Sequence, residues 1–141
     1  MIPRPYFESP IVMTTVRLIA PFTLTYGIFV TLHGAGSPGG GFQGGVVITS
    51  VVIMIAFAFG VGPTLDWTDE RVVAGLFGGG VLAFGAVTLV TIPLEGSVLR
   101  VDAFPIQTKY VIEAVEVFIG AIVAGVVTSL FFLLSRGGEE E

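Results

Sequence analysis

The sequence predicts an all-α integral membrane protein with four transmembrane helices and a glycine-rich loop between the first and the second. Hydrophobic residues make up 53% of the 141 positions and charged residues only 12%, and the mean hydropathy is +0.94. This balance leaves too few polar residues to cover the surface of a water-soluble domain. Four apolar runs also approach the length of about 20 residues that a helix needs to cross the hydrocarbon core. We therefore expect a single membrane domain over residues 1–141.

Charged or polar residues interrupt or flank the four apolar runs, and a membrane helix tolerates such residues mainly near its ends. The predicted spans are residues 11–32, 44–61, 71–92 and 109–134. The first contains Arg17, the second contains no charged residue, and the third follows a polar segment in which Trp67 is placed as an interface anchor. The fourth begins in polar sequence, so that Glu113 and Glu116 fall in its first turns.

Four spans place both termini on the same side of the membrane, and the basic residues favour the cytoplasmic side. Those nearest the termini and the second loop are Arg4, Arg17, Arg71 and Arg136, against Arg100 and Lys109 in the third loop. Residues 137–141 read as a solvated acidic tail, and the net charge is −5. This charge disfavours nucleic acid and anionic lipid as partners.

The sequence gives no sign of a catalytic or cofactor site. It contains no cysteine, which excludes disulfides and cysteine-ligated metals. No nucleophile, base and orienting group occur together, and no cluster of metal ligands is present. We therefore predict that the chain is not an enzyme and binds no metal or other cofactor.

The glycine-rich segment 33–45 reads HGAGSPGGGFQGG. Gly39, Gly41 and Gly44 satisfy the spacing of a dinucleotide-binding loop, but that pattern requires a preceding strand, and both flanks here are membrane-length apolar runs. A phosphate-binding loop of the Walker type would need Lys and Ser or Thr after its last glycine. A tight connection between two spans is favoured, because glycine permits close backbone approach. Direct lining of an ion path is the alternative.

The run SPGGGFQGG, at the end of a first span and the start of a second, resembles the MnhB/MrpB family of small membrane subunits. The residues that match its motif are Pro38, Gly39, Gly40, Gly41, Phe42, Gly44 and Gly45. The resemblance implies a non-catalytic subunit of the Mrp multisubunit Na+/H+ antiporter, with other membrane subunits as partners and Na+ and H+ as transported ions. The alternative is the equivalent subunit of a redox-driven, membrane-bound hydrogenase-type complex that carries the same module.

One position departs from the family pattern. Many relatives have a histidine three residues before the motif proline, and this sequence has Ala35 there, while its only histidine, His33, lies two residues earlier. We therefore favour an interfacial polar residue over a proton relay at His33, although the ordinary pKa of histidine would permit a relay.

Charged residues inside the spans are the candidates for ion handling. Lys109, Glu113, Glu116 and Gly120 are spaced 4, 3 and 4 residues apart, which places them on one face of a helix. Carboxylate oxygens suit sodium, and a carboxylate can carry a proton. This face is either an interfacial collar that pairs with adjacent subunits or a direct part of a cation or proton path. Arg17 either reaches the interface or pairs with a neighbouring carboxylate, or it lies beside such a path.

Small residues predict close helix contacts. Gly75 and Gly79 form a G-x-x-x-G pattern in the third span, and Gly120 and Ala124 give the fourth span a small face. We expect these faces to meet other membrane subunits. The alternative is an independent homo-oligomeric channel, whose pore would be built from Arg17, Glu113 and Glu116.

Overall fold

Five α-helices make up the regular structure of residues 9–95 and 104–137, which are the residues that the computed structural model describes. They are α1 (Pro10–Leu32), α2 (Gly41–Phe59), α3 (Val61–Trp67), α4 (Glu70–Glu95) and α5 (Thr108–Gly137). All but α3 are long and apolar enough to cross a membrane. The all-α fold with four membrane spans is confirmed, and the chain is a multi-pass membrane protein. The predicted acidic tail, apart from Gly137, lies outside the described residues.

The second span differs from its prediction at its N-terminal end. Helix α2 begins at Gly41 rather than at residue 44, so the expected glycine-rich loop is shorter. Gly41, Phe42, Gly44 and Gly45 belong to the first turns of α2. Glycine is a poor helix former in isolation, but three of these four residues are buried. The packing contacts that bury them stabilise this part of the helix in place of intrinsic helix propensity.

The predicted polar segment after the second span contains a short helix. Gly62 and Pro63, which directly follow the predicted second span, lie in the first turn of α3, where proline needs no helical amide. The break falls two residues before Gly62, at Gly60, whose φ of 97° lies in the region that glycine tolerates. Helix α4 then begins with the Asp69 carboxylate accepting a hydrogen bond from the Arg71 amide at 2.8 Å.

The long helices pack in the order α1, α2, α5, α4, and α1 also contacts α5. Gly45 meets Gly120 and Val123 of α5, while Gly41 meets Gly120 and Glu116, so α2 and α5 run parallel. Helix α4 is antiparallel to α5, because the Arg136 guanidinium near the end of α5 donates to the Glu70 carboxylate at 2.9 Å. The start of α1 and the end of α5 therefore lie at the same end of the bundle.

Helix α4 is the least enclosed of the long helices. A Cβ atom added at Gly75, Gly78 or Gly79 would meet no atom within 4 Å, whereas one at Gly80 would lie 2.9 Å from the Phe118 carbonyl oxygen of α5. The G-x-x-x-G pattern of Gly75 and Gly79 is thus not used for packing inside the described chain. Its predicted role in contacts with other subunits stays a prediction.

Candidate functional site

The glycines around the start of α2 let three helices approach one another closely. A Cβ at Gly44 would collide with the Thr31 hydroxyl of α1 and would lie 2.8 Å from the Gly27 carbonyl oxygen. A Cβ at Gly45 would lie 2.7 Å from the Gly120 carbonyl oxygen of α5. Real Cβ atoms do not tolerate such distances to backbone, so only glycine fits at these positions. We call the region where α1, α2 and α5 meet at these glycines the glycine junction.

The carboxylate of Glu116 lies at the N-terminus of α2, inside the glycine junction. Its Oε2 atom accepts a hydrogen bond from the Gly41 amide. The amides of a first helical turn have no partner within their own helix, and the helix dipole favours a negative charge there. Glu116 therefore supplies from α5 the cap that α2 lacks locally, because the N-cap residue Gly40 has no side chain to form one.

Backbone surrounds the Glu116 carboxylate. A Cβ at Gly40 would lie 2.6 Å from Oε2 and 3.0 Å from Oε1, and one at Gly34 would lie 3.0 Å from Cδ. The glycines of the α1–α2 connection thus leave the space that the carboxylate fills. Within the described ranges, Oε1 accepts no hydrogen bond and Glu116 forms no ion pair. One oxygen is held by the Gly41 amide, and the other has no protein donor among the described residues.

Two residues of the predicted charged face lie further out on α5. The Lys109 ammonium and the Glu113 carboxylate are 3.6 Å apart, and their side chains are 64% and 25% exposed. An exposed pair of this kind contributes a few tenths of a kcal/mol, ~0.3–0.5 for residues four apart on a helix. The predicted face therefore has two parts: an outer ion pair, and the inner positions Glu116 and Gly120 at the glycine junction.

His33 lies at the end of α1 and contacts its own helix. Its ring stacks on Phe29 with centroids 4.0 Å apart, and its Nδ1 lies 3.0 Å from the Phe29 carbonyl oxygen. The Ser37 hydroxyl donates to the His33 carbonyl oxygen at 2.7 Å, which steadies the turn into the connection. The side chain is exposed, and its role as an interfacial residue stays a prediction.

Arg17 is placed at the opposite end of the bundle from Glu116. Its guanidinium carbon lies 5.1 Å from the centre of the Phe59 ring, at the end of α2. At a rise of about 1.5 Å per residue, Arg17 lies about 25 Å along α1 from the α1–α2 connection, against which the Glu116 carboxylate packs. The structure therefore does not bring Arg17 together with Glu113 and Glu116 within one chain.

A family described as "Domain related to MnhB subunit of Na+/H+ antiporter" matches residues 11–135, which include all four spans and the glycine junction. The chain belongs to this MnhB family. It is a member of a Na+/H+ antiporter subunit family rather than of a family of classical enzymes.

Relatives in Staphylococcus aureus strains Newman, JH1 and COL are provisionally named antiporter subunit mnhB2. Each is 38% identical to this chain over 60 residues, which are 42% of the chain and 43% of the relative. The alignment thus spans less than half of these relatives.

In this MnhB-family chain, the sequence indicated the glycine motif and Glu116 as separate features and did not predict that they are in contact. Gly41 and Glu116 are 75 positions apart, and their contact depends on α2 and α5 running parallel side by side. A signal was present, because a four-span topology puts the first loop and the start of the fourth span at the same membrane face. Within the motif, Gly40, Gly41, Gly44 and Gly45 are buried, whereas Pro38 and Phe42 are exposed.

Proposed function

We propose that this MnhB-family chain is a non-catalytic membrane subunit of a multisubunit monovalent cation/proton antiporter. In this proposal it helps to hold the complex together, and Glu116 takes part in sodium translocation. The family match over residues 11–135 and the name of the relatives support the first part. The position of the Glu116 carboxylate at the N-terminus of α2 is the observation that carries the second part.

A carboxylate with one free oxygen suits cation/proton exchange. Sodium, a hard cation, takes oxygen ligands, and a proton occupies the same oxygen atoms. Binding of one ion therefore displaces the other, which is the coupling that an exchanger requires. Gly41 fixes one oxygen of Glu116, so the competition is confined to the other oxygen.

Partner subunits would supply the rest of the path. Among the described residues, the carboxylates within the spans away from their termini are Glu113 and Glu116, which are too few for a route across the whole bilayer. The outer face of α4, with its uncovered glycines, is available to another membrane subunit. With both termini on the cytoplasmic side of the cell membrane, as the basic residues favour, Glu116 would lie near the external mouth of the path.

The substitution Glu116→Gln tests the ion role directly. Glutamine has nearly the same shape, and its amide oxygen can still accept the hydrogen bond from Gly41, so packing is kept while the charge is lost. We expect sodium-dependent proton exchange in vesicles to fall by about tenfold, which corresponds to a loss of ~1.4 kcal/mol of stabilisation. The control is Gln43→Ala, at an exposed position of α2.

Both variants are to be compared at equal amounts of assembled complex. Exchange that is lower for Glu116→Gln than for Gln43→Ala supports a direct role of the carboxylate. Exchange equal to wild type for Glu116→Gln would reduce Glu116 to a helix cap and remove it from the ion path.

A further inference from the structure

An open cleft lies at the end of the bundle that holds the start of α1 and the end of α2, away from Glu116. It has a volume of about 280 Å³ and is lined by Val16, Arg17, Ala20, Ile55, Phe59 and Trp67. Apart from the guanidinium of Arg17 and the indole of Trp67, the lining side chains are apolar. The surface exposed to the cleft is wholly apolar, and the guanidinium of Arg17 lies beside it, over the Phe59 ring, so an acyl-chain surface adjoins one permanently charged group.

Arg17 has no acidic partner within the described ranges, where the ion pairs are those of Glu113 with Lys109 and Glu70 with Arg136. Its contact is with the face of the Phe59 ring. A cation–π contact uses the guanidinium charge but leaves its N–H donors unoccupied. A bidentate oxyanion matches those donors best.

The depth of the cleft within the membrane favours a lipid as its ligand. Arg17 lies seven residues after the first residue of α1, about 10 Å along the helix axis, a depth from which the long arginine side chain reaches back to the boundary between headgroups and acyl chains. Trp67 is 78% exposed, and tryptophan at such positions marks the interface. Its indole N–H has no acceptor within the part of the chain that is described.

We propose that this cleft binds one phospholipid, whose phosphate accepts hydrogen bonds from Arg17 and whose acyl chain packs on Val16, Ala20 and Ile55. Basic clefts between membrane helices recognise lipid phosphates in this way. The net charge of −5 disfavours accumulation of anionic lipid over the protein surface, so the recognised group is the phosphate itself rather than the net charge of the lipid. The site is separate from the proposed ion path, and neither depends on the other.

Native mass spectrometry of the full chain in detergent tests the site with two lipids of identical acyl chains. Phosphatidylethanolamine contains the phosphate, and diacylglycerol lacks it. We expect the wild type to retain phosphatidylethanolamine about tenfold better than diacylglycerol, the ratio expected for a charge-assisted hydrogen bond at the weak end of its range. Arg17→Ala should abolish this preference, and Arg71→Ala, an exposed arginine at the same end of the bundle, should keep it.

A second variant and a competition experiment distinguish the proposed phospholipid from other occupants of the cleft. Arg17→Lys keeps the charge without the planar fork, so its preference should fall between those of wild type and Arg17→Ala; a wild-type preference in Arg17→Lys contradicts the forked contact. Millimolar inorganic phosphate should leave the bound lipid in place, and displacement of the lipid would identify a simple phosphate site instead. Equal retention of both lipids by wild type, or equal loss in Arg17→Ala and Arg71→Ala, overturns the proposal.

Discussion

At the scale of single residues, Glu116 connects two features of the sequence that have different chemistry. Its carboxylate caps α2 through Gly41 and occupies a space that Gly34 and Gly40 leave open. A carboxylate near a helix N-terminus contributes ~0.3–1 kcal/mol when exposed and up to about 2 kcal/mol when partly buried. The same side chain therefore stabilises the junction, and in our proposal it also exchanges an ion at its second oxygen.

Gly40 offers a way to move the carboxylate without changing it. In Gly40→Ala the added methyl would lie 2.6 Å from Oε2, so the Glu116 side chain must rotate away from Gly41. The φ of 170° at Gly40 is extended backbone, which alanine adopts without strain. We expect sodium-dependent proton exchange to fall to the level of Glu116→Gln, about tenfold below wild type.

The matched control for this substitution is Gly36→Ala in the same connection. A Cβ at Gly36 meets no atom within 4 Å, so its exchange should equal that of wild type. Equal rates for Gly40→Ala and Gly36→Ala, measured in vesicles at equal assembly, would mean that the position of the carboxylate does not matter.

At the scale of helices, the glycine junction explains why the second span begins with residues of low helix propensity. Gly41, Gly44 and Gly45 lose helix propensity of about 1 kcal/mol each relative to alanine. In return, the backbones of α1, α2 and α5 approach one another closely, and the Thr49 hydroxyl of α2 donates to the Ala124 carbonyl oxygen of α5 at 3.2 Å. Close backbone packing, rather than large apolar side chains, holds this part of the bundle.

The substitution Gly41→Val should separate α2 from α5. A Cβ at this position would collide with the Glu116 carbonyl oxygen and lie 2.9 Å from the Gly120 amide nitrogen, and backbone atoms cannot move aside cheaply. We expect the free energy of unfolding in detergent to fall by ~1–3 kcal/mol, and the assembled complex to be depleted on native gels.

The same substitution at Gly78 is the control, since nothing lies within 4 Å of a Cβ there. Valine is no worse than glycine in a helix, so Gly78→Val should leave the unfolding of the isolated chain unchanged. Wild-type stability and normal assembly of Gly41→Val would contradict the close packing at the glycine junction.

Local sequence predicted the four long helices but not what their polar ends contact. Apolar run length alone set the spans, because the bilayer thickness imposes it, and the spacing of Lys109 and Glu113 correctly placed them on one helix face, where they pair. The start of α2 at Gly41 and the short helix α3 were missed, since glycine and proline signal breaks wherever tertiary contacts do not override them. The contact between Gly41 and Glu116 depends on helix pairing, which no local pattern encodes.

At the scale of the whole molecule, the charged and polar features divide between the two ends of the bundle. The glycine junction with Glu116 occupies one end, and the Arg17 cleft and the pair of Arg136 with Glu70 occupy the other. The apolar middle carries the packing, and the outer face of α4 remains uncovered in the described chain. In our proposal, neighbouring subunits supply the rest of the ion path that the Glu116 end of the bundle opens.

The most direct test of the account is native gel electrophoresis with mass spectrometry on mildly solubilised membranes. We expect this chain to migrate in a large complex together with other membrane subunits. Redox subunits in that complex would identify a hydrogenase-type host in place of an antiporter. Migration as a small homo-oligomer would contradict the account and would leave the chain to build a path alone.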